Sequence, residues 1–194
     1  AWETYRASVN SATVTAGQGV FGPEGEFARL WRVANPSKTA YLVKYAVDTT
    51  SLETDASSDW DPDHAELFSL TKTEIDAALA ALVAAGTPGL VRAVCWMQGE
   101  SDSLVEASAN AYEANLTAFI TAVRAQWSAS TAKFVVGRIT DASTWTYAAT
   151  VRAAQAAVAA AVSNAAIVDT DDYSLQDYLI HYDEHGFTTH GADY

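Results

Sequence analysis

Hydrophobic positions along this chain alternate between a helical and a strand-like rhythm. After the breaker-rich segments Ala16-Gly17-Gln18-Gly19 and Phe21-Gly22-Pro23-Glu24-Gly25, Phe27, Leu30 and Trp31 keep helical spacing until Asn35-Pro36 stops them. Tyr41-Leu42-Val43-Lys44-Tyr45-Ala46-Val47 is a β-rich run of the kind a buried strand shows, and the acidic stretch from Asp48 to His64 reads as a loop. Thr71-Lys72-Thr73-Glu74 has the form of a capping box, which satisfies the free amides of a first helical turn. Ile75, Leu79, Leu82 and Val83 continue that helix on one face as far as Gly86. Leu90 to Met97 is nearly continuously apolar and predicts a strand covered on both faces. Tyr112, Leu116, Phe119, Ile120, Val123 and Trp127 predict one long amphipathic helix. Lys133 to Ile139 reads as a strand, Tyr147 to Val162 as an Ala-rich helix, and Ala165 to Val168 as a last short strand.

Strands alternating with helices predict right-handed crossovers and a three-layer α/β/α sandwich with a mainly parallel sheet, its ligands at the carboxyl ends of the strands. A chain that is 49% hydrophobic and 18% charged fits one sizeable core, so residues 1–194 are expected to form a single domain. The net charge of -13, with only 11 Lys and Arg, argues against the nucleic-acid backbone as a partner and favours a neutral or cationic ligand. No apolar run reaches the length of a membrane span, and the first residues are neither a signal nor a transit peptide. Cys95, the single cysteine, excludes an internal disulfide and is expected to be a buried structural thiol.

The segment richest in chemistry comes after the strand ending at Met97. Gln98-Gly99-Glu100-Ser101-Asp102 places side chains and amides where a strand end can converge on a ligand; as plain structure it would be a polar turn with a capping Ser or Asp. His181, His185 and His190 have the spacing of a helical metal pair with a third ligand, yet Gly186 should interrupt the helix and no metalloprotease Glu is in place, so no metal is assigned. Asp59-Trp60-Asp61-Pro62-Asp63 alternates like a calcium loop, but His64 and Leu70 stand where Gly and Glu are needed, which leaves a solvated acidic loop. The glycosylation triplet Asn115-Leu116-Thr117 falls inside the predicted amphipathic helix and carries no weight.

Trp96-Met97-Gln98-Gly99-Glu100-Ser101-Asp102 closely resembles the Trp-x-Gln-Gly-Glu-Ser-Asp signature of the carbohydrate acetyl esterases in the SGNH-hydrolase superfamily, enzymes that remove O-acetyl groups from sialic acid or xylan. Phe21-Gly22-Pro23-Glu24 with Phe27-Ala28 is similar to the pattern before that family's first core helix. Lys44 to Leu52 lines up with its second block, where Asp48 and Thr49 stand in place of two glycines. Val151-Arg152-Ala153-Ala154-Gln155 resembles its Val-Arg-x-x-Gln helix.

The resemblance implies that Gln98, with Gly99 and Glu100 beside it, serves an oxyanion hole, that the amide at Thr49 donates to it, and that Trp60 forms a wall for a sugar ring. Asp177-Tyr178-Leu179-Ile180-His181-Tyr182 resembles the last block, which makes His181 the general base and Asp177 the carboxylate that orients it; Tyr178 occupies the acid's usual place. Ser101 is expected to cap or support rather than to attack.

The family's Gly-Gln-Ser-Asn block does not occur in the sequence, and Trp2-Glu3-Thr4-Tyr5 is similar to the stretch that comes after the family's first strand. The expectation is a domain without its first strand and nucleophile block, completed by another segment or chain, acting on O-acetylated carbohydrate without cofactor or metal. It would be secreted or particle-associated rather than membrane-bound. The alternative is a catalytically degraded glycan-binding or structural module of a larger secreted or viral assembly.

Overall fold

A computed structural model describes residues 22–53, 59–63, 66–176 and 180–194. In chain order the elements are α1 (Glu24–Ala34), α2 (Glu66–Ala84), β1 (Ala93–Met97), α3 (Glu106–Gln126), β2 (Lys133–Gly137), α4 (Ala148–Ala161), β3 (Ala165–Val168) and α5 (Glu184–Asp193). The chain divides into two compact units, Asp48–Asp171 and Ala1–Val47 with Asp172–Tyr194. None of the helices among the described residues is long and apolar enough to cross a membrane.

In the Asp48–Asp171 unit, three parallel strands pair in the order β1-β2-β3, with Trp96 opposite Val136 and Val136 opposite Ile167. Parallel neighbours need a crossover, and α3 and α4 supply the two, packed against each other. Their apolar stripes explain the placement: Tyr112, Leu116, Phe119, Ile120 and Val123 of α3 and Val151, Ala154 and Val158 of α4 are all buried. Phe119 is the hub, its ring 4.4 Å from Trp96 of β1, 6.2 Å from Phe134 of β2 and 6.0 Å from Phe68 of α2. The α/β class and parallel sheet expected from the sequence are therefore observed, consistent with a three-layer α/β/α sandwich.

Several local expectations are corrected. Tyr41–Val47 forms no strand, and Tyr41, Leu42 and Val43 are about two-fifths exposed. Branched and aromatic residues supply strand propensity, which context overrides. Helix α2 starts at Glu66, before the Thr71 capping box, because Leu67 and Phe68 are buried and Phe68 stacks near Phe119 and Trp127. The strand expected from Leu90 covers only Ala93–Met97, and its two faces differ. Trp96 turns toward α3, so period-two alternation sends Cys95 the other way, where it is exposed rather than a buried thiol.

In the other unit α1 packs on α5. Helix α5 runs through Gly186, which was expected to break it. Asp183 caps it by accepting the Gly186 amide at 2.8 Å, and a Cβ on Gly186 would collide with the Ser174 carbonyl oxygen. A Cβ on Gly191 would likewise collide with the Pro23 carbonyl oxygen, so the absent side chain is what lets α5 approach that backbone.

Candidate active site

The carboxyl end of β1 holds the site because Gly99 reverses the chain there. Gly99 has φ 135°, and a Cβ would meet Val151 Cγ1 at 2.9 Å and the Tyr112 hydroxyl at 3.2 Å, so only glycine fits. This turn leaves Gln98 buried, with its side-chain amide and its backbone carbonyl engaged. Its Nε2 donates to the Thr50 carbonyl at 3.0 Å and to Asp102 Oδ2 at 2.5 Å. Its backbone carbonyl accepts from the Tyr112 hydroxyl at 2.8 Å and from Gln155 Nε2 at 3.0 Å. The Tyr112 hydroxyl also lies 3.1 Å from Gln98 Oε1, joining α3 to the site. Gln155 Oε1 accepts the Ile139 amide at 3.1 Å, so one side chain of α4 ties the ends of β1 and β2 together.

The loop after residue 47 is drawn to the same place. Asp102, fully buried, accepts the Leu52 amide at 3.1 Å on each carboxylate oxygen. Burial pushes this carboxyl up to about 6, against the hydrogen bonds from Gln98 and Leu52 that favour its ionised form. Burial also raises Glu100, and the neighbouring charge of Asp102 adds to the shift. Further along the rim, Arg152 donates to the Ile139 carbonyl at 2.5 Å and to Asp171 at 2.8 Å, while Arg138 donates to Asp171 at 2.6 Å and pairs with Asp169. These ion pairs fasten α4 to the strand ends.

Thr49 has φ 58°, the left-handed conformation that a β-branched residue rarely adopts. The backbone thus keeps a glycine-like shape at one of the two positions where threonine and aspartate replace glycines; both Asp48 and Thr49 are exposed. The conformation costs Thr49 about 1–2 kcal/mol. Replacing Thr49 with glycine is expected to raise stability by about 1 kcal/mol, read as a higher urea midpoint with unchanged m value. A midpoint that falls would show that the threonine side chain outweighs its strain.

Within the Asp48–Asp171 unit the structure bonds Gln98 to Thr50, the residue that follows Asp48 and Thr49. Trp60, expected to be a wall for a sugar, is a core residue instead. It is 5% exposed, gives its indole N–H to Thr50 Oγ1 at 2.9 Å and meets Trp96 edge-on at 5.2 Å, so its faces are enclosed. Ser101 makes no capping bond; the Ser103 hydroxyl donates to the Glu100 carbonyl at 2.6 Å.

His181 belongs to the other unit, exposed, its carbonyl accepting the Gln176 amide at 2.7 Å and its neighbour Tyr182 buried. Asp177 and Tyr178 lie outside the described residues, as do Trp2–Tyr5, Ala16–Gly19 and His64. Among the described residues no three His, Cys, Asp or Glu side chains are grouped to hold a metal ion. Tyr112 was not foreseen as a site residue; Asp102 was read as part of the polar cluster after β1, and Thr50, Leu52 and Gln155 only as parts of the segments that resemble the family's blocks.

The family model described as "Carbohydrate esterase, sialic acid-specific acetylesterase" matches residues 1–194. The chain belongs to this carbohydrate esterase family. It is also similar to a protein of Arabidopsis thaliana with a known X-ray structure, at 25% identity and a TM-score of 0.60. That match covers 69% of this chain and 52% of the Arabidopsis protein, so the esterase-family chain aligns over about half of that relative's length. No curated protein matches.

Proposed function

We propose that this chain is a carbohydrate O-acetylesterase domain that cleaves acetyl esters of sugars through a serine nucleophile. The observation that carries this reading is the joining of the Gln98-Gly99-Glu100 turn to the 49–52 loop, with Gln98 Nε2 bonded to the Thr50 carbonyl. The Thr49 amide, in its left-handed conformation, and the Gln98 side chain are the two donors for the oxyanion. Gln98 donates after exchanging its bond to Asp102 for one to the acyl oxygen.

The nucleophile is supplied by a segment or chain that completes the site, since no Gly-Gln-Ser-Asn motif occurs in the sequence. Its hydroxyl oxygen attacks the acetyl carbonyl carbon while His181, oriented by Asp177, takes the proton. Collapse of the tetrahedral intermediate breaks the bond to the sugar oxygen, which receives that proton from His181. Water then attacks the acyl-serine by the same route, releasing acetate and restoring the hydroxyl. No step needs a metal or cofactor, and neither nucleic acid nor a membrane is a partner in this reading.

The test is hydrolysis of an aryl acetate and of an O-acetylated sugar by the completed protein and its His181→Ala variant. Loss of a general base is expected to lower kcat by roughly 100-fold or more. An unchanged rate removes His181 from the reaction.

A further inference from the structure

Among the described residues Asp102 is a carboxylate whose contacts reach both the loop and the glutamine. Leu52 N is equidistant from its two oxygens at 3.1 Å, whereas Gln98 Nε2 bonds only Oδ2, at 2.5 Å. The other Gln98 hydrogen goes to the Thr50 carbonyl. With both hydrogens held inside the protein, Gln98 has none left for a ligand. We propose that Asp102 is a positioning residue whose charge latches the Gln98 amide: ionised, it holds the amide inward, and protonated, it releases one N–H toward a bound acyl group.

The geometry decides which bond yields. A protonated carboxyl carries one acceptor oxygen and one O–H donor, and Leu52 N can stay with Oδ1. With the proton on Oδ2, the bond from Gln98 is the one given up. Protonation also removes a negative charge from beside the place where an oxyanion would form. The ionisable groups around Asp102 are Glu100 on the same turn and Tyr112 from α3, both acidic; its hydrogen bonds come from the Gln98 side-chain amide just after β1, from the Leu52 and Glu53 backbone amides of the loop and from its own backbone amide. Among the described residues no Lys, Arg or His forms an ion pair with it. With a carboxyl near 6, the latch would work within the ordinary pH range of proteins.

What the released N–H is used for rests on the esterase reading; the latch itself does not, and NMR on the full chain without substrate tests it. Between about pH 4 and about pH 8, the Gln98 side-chain N–H signals and the Trp60 indole N–H, which reports on Thr50, are followed beside the Asp102 carboxyl carbon. The expected result is a shared midpoint near 6, kept in Glu100→Gln and absent from Asp102→Asn. Gln98 signals that stay constant, or that follow a midpoint different from that of the Asp102 carboxyl, would overturn the proposal. The wild-type coincidence decides the matter alone if Asp102→Asn does not fold. Inactivity of the completed protein toward aryl acetates, with the coincidence intact, would sink the esterase reading and leave the latch standing.

Discussion

Replacing Gln155 with alanine is expected to lower unfolding stability by about 3–5 kcal/mol, a large share of what holds a domain together. Gln155 has no exposed surface and its two ends do different work: Oε1 accepts the Ile139 amide and Nε2 donates to the Gln98 carbonyl. Alanine leaves a cavity between α4 and the sheet and strands the Ile139 amide without an acceptor, and the two losses add. The Gln98 carbonyl keeps the Tyr112 hydroxyl, so its own loss is partial. Urea unfolding followed by tryptophan fluorescence measures the change. A loss below about 1 kcal/mol would mean that water or a shifted neighbour replaces the amide, and that Gln155 does not brace the strand ends.

Acid is expected to weaken the unit containing α5 by about 3 kcal/mol as the pH falls from about 6.5 to about 4. The cause is His190, which is 1% exposed and has neither ring nitrogen hydrogen-bonded. It lies against Tyr194 at 4.3 Å, Tyr173 at 5.5 Å and Tyr182 at 5.8 Å. Burial holds its pKa down to about 4, opposed only in part by the Asp193 carboxylate, which already accepts the Tyr173 hydroxyl at 2.6 Å.

The sign comes from the depressed value. Above about 6.5 the ring is neutral in both states and the full stability is present; below it the unfolded chain gains a proton that the folded unit refuses. His190→Phe keeps a ring among the tyrosines and gives up no hydrogen bond, so it should flatten this acid loss at little cost near neutral pH. Thermal unfolding of both proteins at the two pH values tests this. Equal losses in wild type and variant would place the acid sensitivity elsewhere.

The elements that could be read in advance are those whose signal is local. The α3 stripe from Tyr112 to Val123 and the short β3 run at Ala165–Val168 are set by side-chain period and burial, and both stand close to where their sequence put them. Tyr41–Val47 misled because strand propensity is weak evidence that context overrides. Gly186 misled because a helix breaker on average is, at one crowded position, the only residue that lets α5 approach the Ser174 carbonyl.

In the site, the order Gln98-Gly99-Glu100 was legible from its place after a buried strand, and its chemistry from the family resemblance. The bonds that arrange it were not. Asp102 to Leu52, Gln98 to Thr50 and Gln155 to Ile139 join residues brought close only by the fold, and no spacing in the chain announces them. Trp60 shows the same limit from the other side, since its resemblance to the family's aromatic after the second block suggests a ligand wall until its indole is found closed in against Trp96 and Thr50.

The measurement that bears most directly on this account is an experimental structure of the completed protein with an O-acetylated sugar or a covalent acyl-serine mimic bound. The account predicts a single acyl group contacted by the His181 imidazole on one side, and by the Thr49 amide and the Gln98 side chain on the other. An acyl group bound with His181 or Gln98 far out of hydrogen-bonding reach, or seated elsewhere on the protein, would contradict it.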